Sequence, residues 1–207
     1  SIFDYEDRKE RPKECENQIK IRNLNNTISG GIRHSAAILD GGTSVAVGDE
    51  DDNRCNVIKF ENMVSIDAGG CFTIGLQKNG KVKVAGTFDD GLKIDTNSRK
   101  WEEEKFIDIA AGERFVVGLT ENGSVIGDGH KDDGQIDFKS WKKEKFIAID
   151  TGWRFTVGLK KNKELKFSGI ISSNGISIKK LFSNSVTNST KLTESIIPSV
   201  NKAVSFL

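Results

Sequence analysis

Prolines are almost missing, with 2 in 207 residues beside 21 glycines. Glycine without proline points to many tight turns built on permissive backbone rather than on rigid kinks. Net charge is missing too, since 31 Lys+Arg face 30 Asp+Glu for a formal +1. That balance gives no global field to draw in nucleic acid or an anionic membrane, and neither is expected as a partner. No run approaches the ~20 apolar residues needed to cross a bilayer. The 3 cysteines, Cys15, Cys55 and Cys71, stand far apart, without CxxC or other metal-ligand spacing. This argues against a disulfide miniprotein. It leaves free thiols in a reducing compartment, hence a cytoplasmic location, or a single Cys15–Cys55 or Cys55–Cys71 bridge.

Catalytic signatures are equally scarce. His34 and His130, the 2 histidines, sit far apart in the chain. There is no G-x-S-x-G elbow, no HExxH, no Walker-type loop and no G-x-G-x-x-G between a strand and a helix. No catalytic residue, cofactor-binding residue or metal ligand is assigned, no cofactor is expected, and an enzyme is the unexpected class.

What is present is a repeat. ISGGIRHSAAI from Ile28, IDAGGCFTIGL from Ile66, IAAGERFVVGL from Ile109 and IDTGWRFTVGL from Ile149 align, at periods of 38, 43 and 40 residues. Each copy places a glycine (Gly31, Gly69, Gly112, Gly152), then a ring (His34, Phe72, Phe115, Phe155). A tiny residue follows (Ala37, Gly75, Gly118, Gly158), then a branched aliphatic (Ile38, Leu76, Leu119, Leu159) and a later glycine (Gly48, Gly86, Gly129, Gly169). FVVGL and FTVGL alternate, so Phe115, Val117 and Leu119 share one strand face while Val116 and Gly118 take the other. The tiny residue on that second face lets a neighbouring layer approach closely. Asn-Gly turns (ENG at 121–123, KNG at 78–80) lead into a second alternating strand. Helical periodicity is absent from residues 28–170. A unit of about 40 residues made of short strands cannot bury its own faces, so units must stack. Four-stranded blades around an axis are the expected architecture, an all-β propeller or an arc of one.

The residues resemble the regulator of chromosome condensation repeat, with its pattern A-G-x-x-H-[ST]-hydrophobic-[AG]-L, then D-G-x-[VL], then G-x-x-x-x-G-Q. AAGERFVVGLTENGSVIGDG (110–129) followed by HKDDGQ (130–135) fits best, and Trp141 stands where bacterial versions of the repeat carry a tryptophan. The histidine of the pattern is phenylalanine in three copies, Gly-Gln is complete only at Gly134-Gln135, and Lys163 replaces the hairpin glycine of the fourth copy. The resemblance covers residues 28–170 and implies a propeller that works by protein contact. It also implies two sharper options, guanine-nucleotide exchange on a small GTPase or inhibition by capture of an enzyme.

Seven blades need about 280 residues, against 207 here. Three outcomes stay open: a second chain (a copy or another repeat protein) completes the propeller, the molecule is a fragment, or residues 1–27 and 171–207 hide degenerate blades. The first of these flanks reads as a charged arm with one plausible strand, QIKIRNL. The second is Ser/Asn/Thr-rich, with GISIKKLF as a strand and a possible docking segment after Pro198.

Candidate partner-binding residues recur in phase. Arg33, Arg114 and Arg154 each precede the ring residue, and Trp153 adjoins the last of them; Arg and Trp are enriched at binding hot spots. Asp89-Asp90 and Asp132-Asp133, with Asp51-Asp52 in the first copy, stand directly before or near turn residues. They make the turn itself, or form an acidic arc for a cation or a basic partner. His34 and the pair Trp101 and Trp141 are expected in the core.

Overall fold

The structure is a computed structural model and describes residues 27–87, 99–170, 172–173 and 176–177. Each repeat folds as an antiparallel meander. The first contains β1 (Ile28–Gly30), β2 (His34–Ile38) and β3 (Ser44–Gly48); the second β4 (Met63–Ala68), β5 (Phe72–Gln77) and β6 (Val82–Gly86). The third contains β7 (Phe106–Ala111), β8 (Phe115–Thr120) and β9 (Val125–Gly129); the fourth β10 (Phe146–Thr151), β11 (Phe155–Lys160) and β12 (Leu165–Gly169). A two-residue pair follows, β13 (Ser172–Ser173) with β14 (Ile176–Ser177). Four strands per blade were expected, whereas each of the four meanders has three among the described residues. The segment after the third strand is too polar and turn-rich to alternate. Where described, it contains a 3-10 turn (Asp51–Asn53), the short helix α1 (Arg99–Glu102) or a second 3-10 turn (Lys139–Trp141). The 1–26 arm, the segment 178–207 and Asp89-Asp90 lie outside the described residues.

The units stack through one recurring interface. Phe115, Val117 and Leu119 on β8 are fully buried against Trp141, Phe146 and Ile149 of the fourth unit. One unit earlier, Phe72, Ile74 and Leu76 pack on Trp101, Phe106 and Ile109. Between the first and second units, Ala36 meets Phe60, Met63 and Ile66. The chain after the second and third units' last strands therefore returns a Trp–Phe pair to the next interface, where the first junction has Phe60 and Met63. Trp101 and Phe106 stack with ring centroids 4.6 Å apart, and Trp141 and Phe146 lie tilted at the same 4.6 Å centroid distance. The tiny residue of the repeat makes room for that pair within its own unit. A Cβ added to Gly118 would lie 2.4 Å from the Phe106 ring and 3.0 Å from Trp101. Phe106 and Ile109 are both inward although three apart, because a bulge shifts the register between Phe106 and Asp108. The same bulge recurs at Met63/Ser65 and Phe146/Ala148. The extra residue of each, Val64, Ile107 or Ile147, is thrown out to solvent.

The first strands lie side by side along the inner edge of the arc, joined by carboxylates. Asp67 accepts Ser29 Oγ (2.5 Å) from the first unit and Ala111 N (2.7 Å) from the third, besides its neighbour Ala68 N (3.0 Å). Asp108 accepts Ile109 N at 3.0 Å and the N–H of Ile149 in the next unit. Burial outweighs these bonds and pushes both carboxyls up to about 6. Asp150 is raised by the same desolvation.

Candidate protein-contact site

The turn entering each middle strand sits at one end of the blades, and these turns are tied in series. Ile32 N donates to Gly69 O (3.3 Å), Gly70 N to Glu113 O (3.0 Å) and Glu113 N to Trp153 O (3.4 Å). The loop following a third strand folds onto the same end and covers the next unit's turn. In the third unit this loop is pinned by its Gly-Gln element. Gln135 is buried, its carbonyl accepts Thr156 Oγ1 (2.7 Å), and its Oε1 accepts Asp133 N (3.1 Å). Gly134 O accepts Ser168 Oγ at 2.7 Å.

Loop and turns enclose a small cavity lined by Glu113, Arg114, His130, Asp133, Gln135, Trp153 and Arg154. Arg114 and Arg154, one unit apart, thus reach a common site. Its outer wall is Trp153, 63% exposed although it is one of the largest apolar side chains of the protein. Asp133 faces Arg154 Nε at 3.6 Å, and Asp132 faces His130 Nε2 at 3.3 Å. The acidic pair and the arginine series, two separate patterns in the sequence, meet here because a loop of one unit overlies the turn of the next.

Arg33 is placed elsewhere. It lies at the first unit's turn and pairs with Asp49 at 3.5 Å. In that part of the rim the acids are taken up internally by Arg54, which sequence reasoning missed. Arg54 is 3% exposed, bonds Asp52 (2.7 Å) and the Asp51 carbonyl (2.9 Å), and approaches Asp49 at 3.8 Å. The Asp51 backbone N–H, aided by Arg54 and Arg33, holds the Asp49 carboxyl below its ordinary value. Glu113, His130 and Gln135 were also missed; the one available signal was that His130 stands at the same phase of its repeat as Asp49.

His34 is buried, its Nε2 2.8 Å from Thr73 Oγ1, and that hydroxyl donates to Arg54 O at 2.8 Å. With the hydroxyl proton spent on the carbonyl, His34 must be the donor to Thr73, which fixes its Nε2–H tautomer. Desolvation, with the nearby Arg54 charge, lowers its pKa. Trp101 and Trp141 are buried, and no disulfide joins Cys55 to Cys71; Cys15 lies outside the described residues. Among the described residues no cluster of three His, Cys, Asp or Glu could hold a metal ion, and no helix is long and apolar enough to cross a membrane.

Stacked meanders joined by first-strand contacts define a β-propeller scaffold. No family model and no curated protein matches the chain, but solved structures do. Yeast RCC1 (Prp20), solved with Kap60 bound, is similar at TM-score 0.55 and 17% identity over 69% of this chain and 43% of that one. The CRINKLY WD40 ectodomain of the Arabidopsis thaliana receptor kinase ACR4 gives 0.54 and 18%, over 69% and 49%. Human WBSCR16 gives 0.59 and 15%, over 72% and 49%. The fold is an RCC1-like β-propeller repeat, and the chain spans less than half the length of these structures.

Proposed function

We propose that this chain is a non-enzymatic protein-interaction module that holds its partner at the rim cavity between the third and fourth units. One observation carries the reading: Trp153 stands 63% exposed beside Arg114 and Arg154, on turns fixed from below by backbone bonds. An exposed tryptophan flanked by arginines on rigid backbone is the composition of a binding hot spot, because its apolar area is available at little entropic cost. Prp20 supports the scaffold half of the reading, since its structures were solved with Kap60 and studied for binding to Gsp1p and histones. Exchange on a small GTPase and capture of an enzyme are two finer forms of this reading.

The test is affinity capture from the native host with the wild-type chain, the double variant Trp153→Ala/Arg154→Glu, and Glu121→Ala at the opposite end of β8 as control. A partner held by wild type and control should weaken at least ~30-fold with the double variant, as expected for losing a hot-spot residue. Equal retention by all three would refute the site. Nucleotide release from a captured GTPase would select the exchange form; unchanged release, or inhibition of a captured enzyme, would select the capture form.

A further inference from the structure

The two ends of the arc carry the two halves of an interface that already occurs three times inside it. At the trailing end, Phe155, Val157 and Leu159 occupy the phase of Phe72, Ile74, Leu76 and of Phe115, Val117, Leu119. Those six are buried to 3% or less, whereas the fourth unit's three remain partly open. No aromatic pair covers them among the described residues. At the leading end, Ile28 holds the phase of Ile66, Ile109 and Ile149, each at most 8% exposed, yet Ile28 is 77% exposed.

The inner-edge bonds show the same interruption. Asp150 stands at the phase of Asp67. Asp67 receives the next unit's Ala111 N–H at 2.7 Å, whereas Asp150 receives only that of its neighbour Thr151, at 2.8 Å, among the described residues. In β1 the residue at the phase of Ala111 is Gly30, whose surroundings are open: a Cβ added there would meet nothing within 4 Å.

We propose that a second copy of this chain docks head to tail on the trailing face. Its Ile28 lies against Phe155, Val157 and Leu159, and its Gly30 N–H donates to Asp150. The complementarity follows from the repeat itself. Each internal interface joins a trailing β-face to a leading Ile-bearing strand, and the arc ends on one of each. The contact is heterologous, so it closes only if the second copy's trailing face meets the first copy's β1. Two arcs of four units give eight blades, within the range of closed propellers.

The experiment measures the mass of the full 207-residue chain by light scattering at micromolar concentration. Wild type, Ile28→Glu and Leu159→Glu are run singly and mixed; Ile28 is exposed in the single chain, so its variant keeps the fold. Wild type is expected at twice 22.8 kDa. Each variant alone should weaken assembly by about 30-fold or more, the effect of placing a charge at a desolvated contact. Mixing the two variants should restore a dimer, because the Ile28→Glu chain keeps its trailing face and the Leu159→Glu chain keeps its β1. A monomeric wild type would overturn the proposal and assign the face to the chain's own remaining residues. A dimer indifferent to Ile28→Glu, or one lost in both variants and not restored by mixing, would overturn it equally. The proposal does not depend on the rim site, since Trp153→Ala/Arg154→Glu should still dimerise.

Discussion

Lowering the pH from 7 to 5 should stabilise the inner edge of the arc, and Asp67 is where this can be measured. Its carboxyl is raised from 3.8 to about 6, chiefly by desolvation and against three hydrogen bonds that favour the anion. A carboxyl whose folded value exceeds its unfolded one binds its proton more tightly in the native state. Its contribution is therefore complete below pH about 4 and is lost as pH rises through about 6. The full difference corresponds to about 3 kcal/mol, of which about 1.3 kcal/mol falls between pH 7 and pH 5. His34 works in the opposite sense, since its lowered pKa makes it resist protonation in the same window. The wild-type profile alone therefore mixes opposing contributions. Comparing wild type with Asp67→Asn removes the His34 contribution from the difference. Urea unfolding followed through the buried Trp101 and Trp141 should show wild type gaining about 1.3 kcal/mol between pH 7 and 5 relative to the variant. A carbon-13 titration of the Asp67 carboxyl should have its midpoint near 6. Parallel pH profiles, or a midpoint below about 4.5 as in an unperturbed carboxyl, would refute the claim that this group is desolvated.

Three further outcomes follow from the packing. Gly118→Ala should cost about 1–3 kcal/mol in thermal or urea unfolding, because the new Cβ meets the Phe106 ring at 2.4 Å in a close-packed layer. Lys163→Gly should raise stability by about 1 kcal/mol, since Lys163 holds φ of 66° where Gly80 and Gly123 hold 82° at the same hairpin position; an unchanged melting temperature would contradict this. Thr73→Val should cost about 1–3 kcal/mol by stranding His34 Nε2–H and the Arg54 carbonyl, and the His34 ring signals in a nitrogen-15 spectrum should move with it.

The repeat was legible in the sequence because its determinants are local. The glycine, ring and aliphatic positions follow strand alternation, and the rings that alternate inward, Phe72 and Phe115, are buried as that pattern requires. Elements that break the period were not legible. FIDIA reads as simple alternation, yet the bulge beside Ile107 lets Phe106 and Ile109 both face inward. The fourth strand was inferred from architecture alone, while the segment itself carries helical turns that deliver Trp101 and Trp141. For the candidate site, the residue types were visible but their grouping was not. Asp133 and Arg154 recur in different parts of the repeat, and only the overlap of one unit's loop with the next unit's turn brings them to 3.6 Å. Arg54 was hidden for a related reason, as nothing in DDNR distinguishes a solvated arginine from a buried one.

Blades that touch only their neighbours melt like beads on a line, each junction opening with its own free energy. The bonds of Asp67 to both the first and third units add a term that such a one-dimensional array lacks, a coupling between next-nearest beads. Separating the first unit from the second strips one donor from a buried carboxylate, and that weakens the seat on which the third unit rests. Loss of either junction therefore makes the other cheaper to lose, and the first three units are bound into a single cooperative block. The fourth unit, which meets the third through the core around Phe115, Trp141 and Phe146 and through the Asp108 bond to Ile149, lies outside that block in the single chain. In native-state hydrogen exchange this would read as two plateaus: one shared by the amides of β4 and β7, and a lower one for β11 and β12.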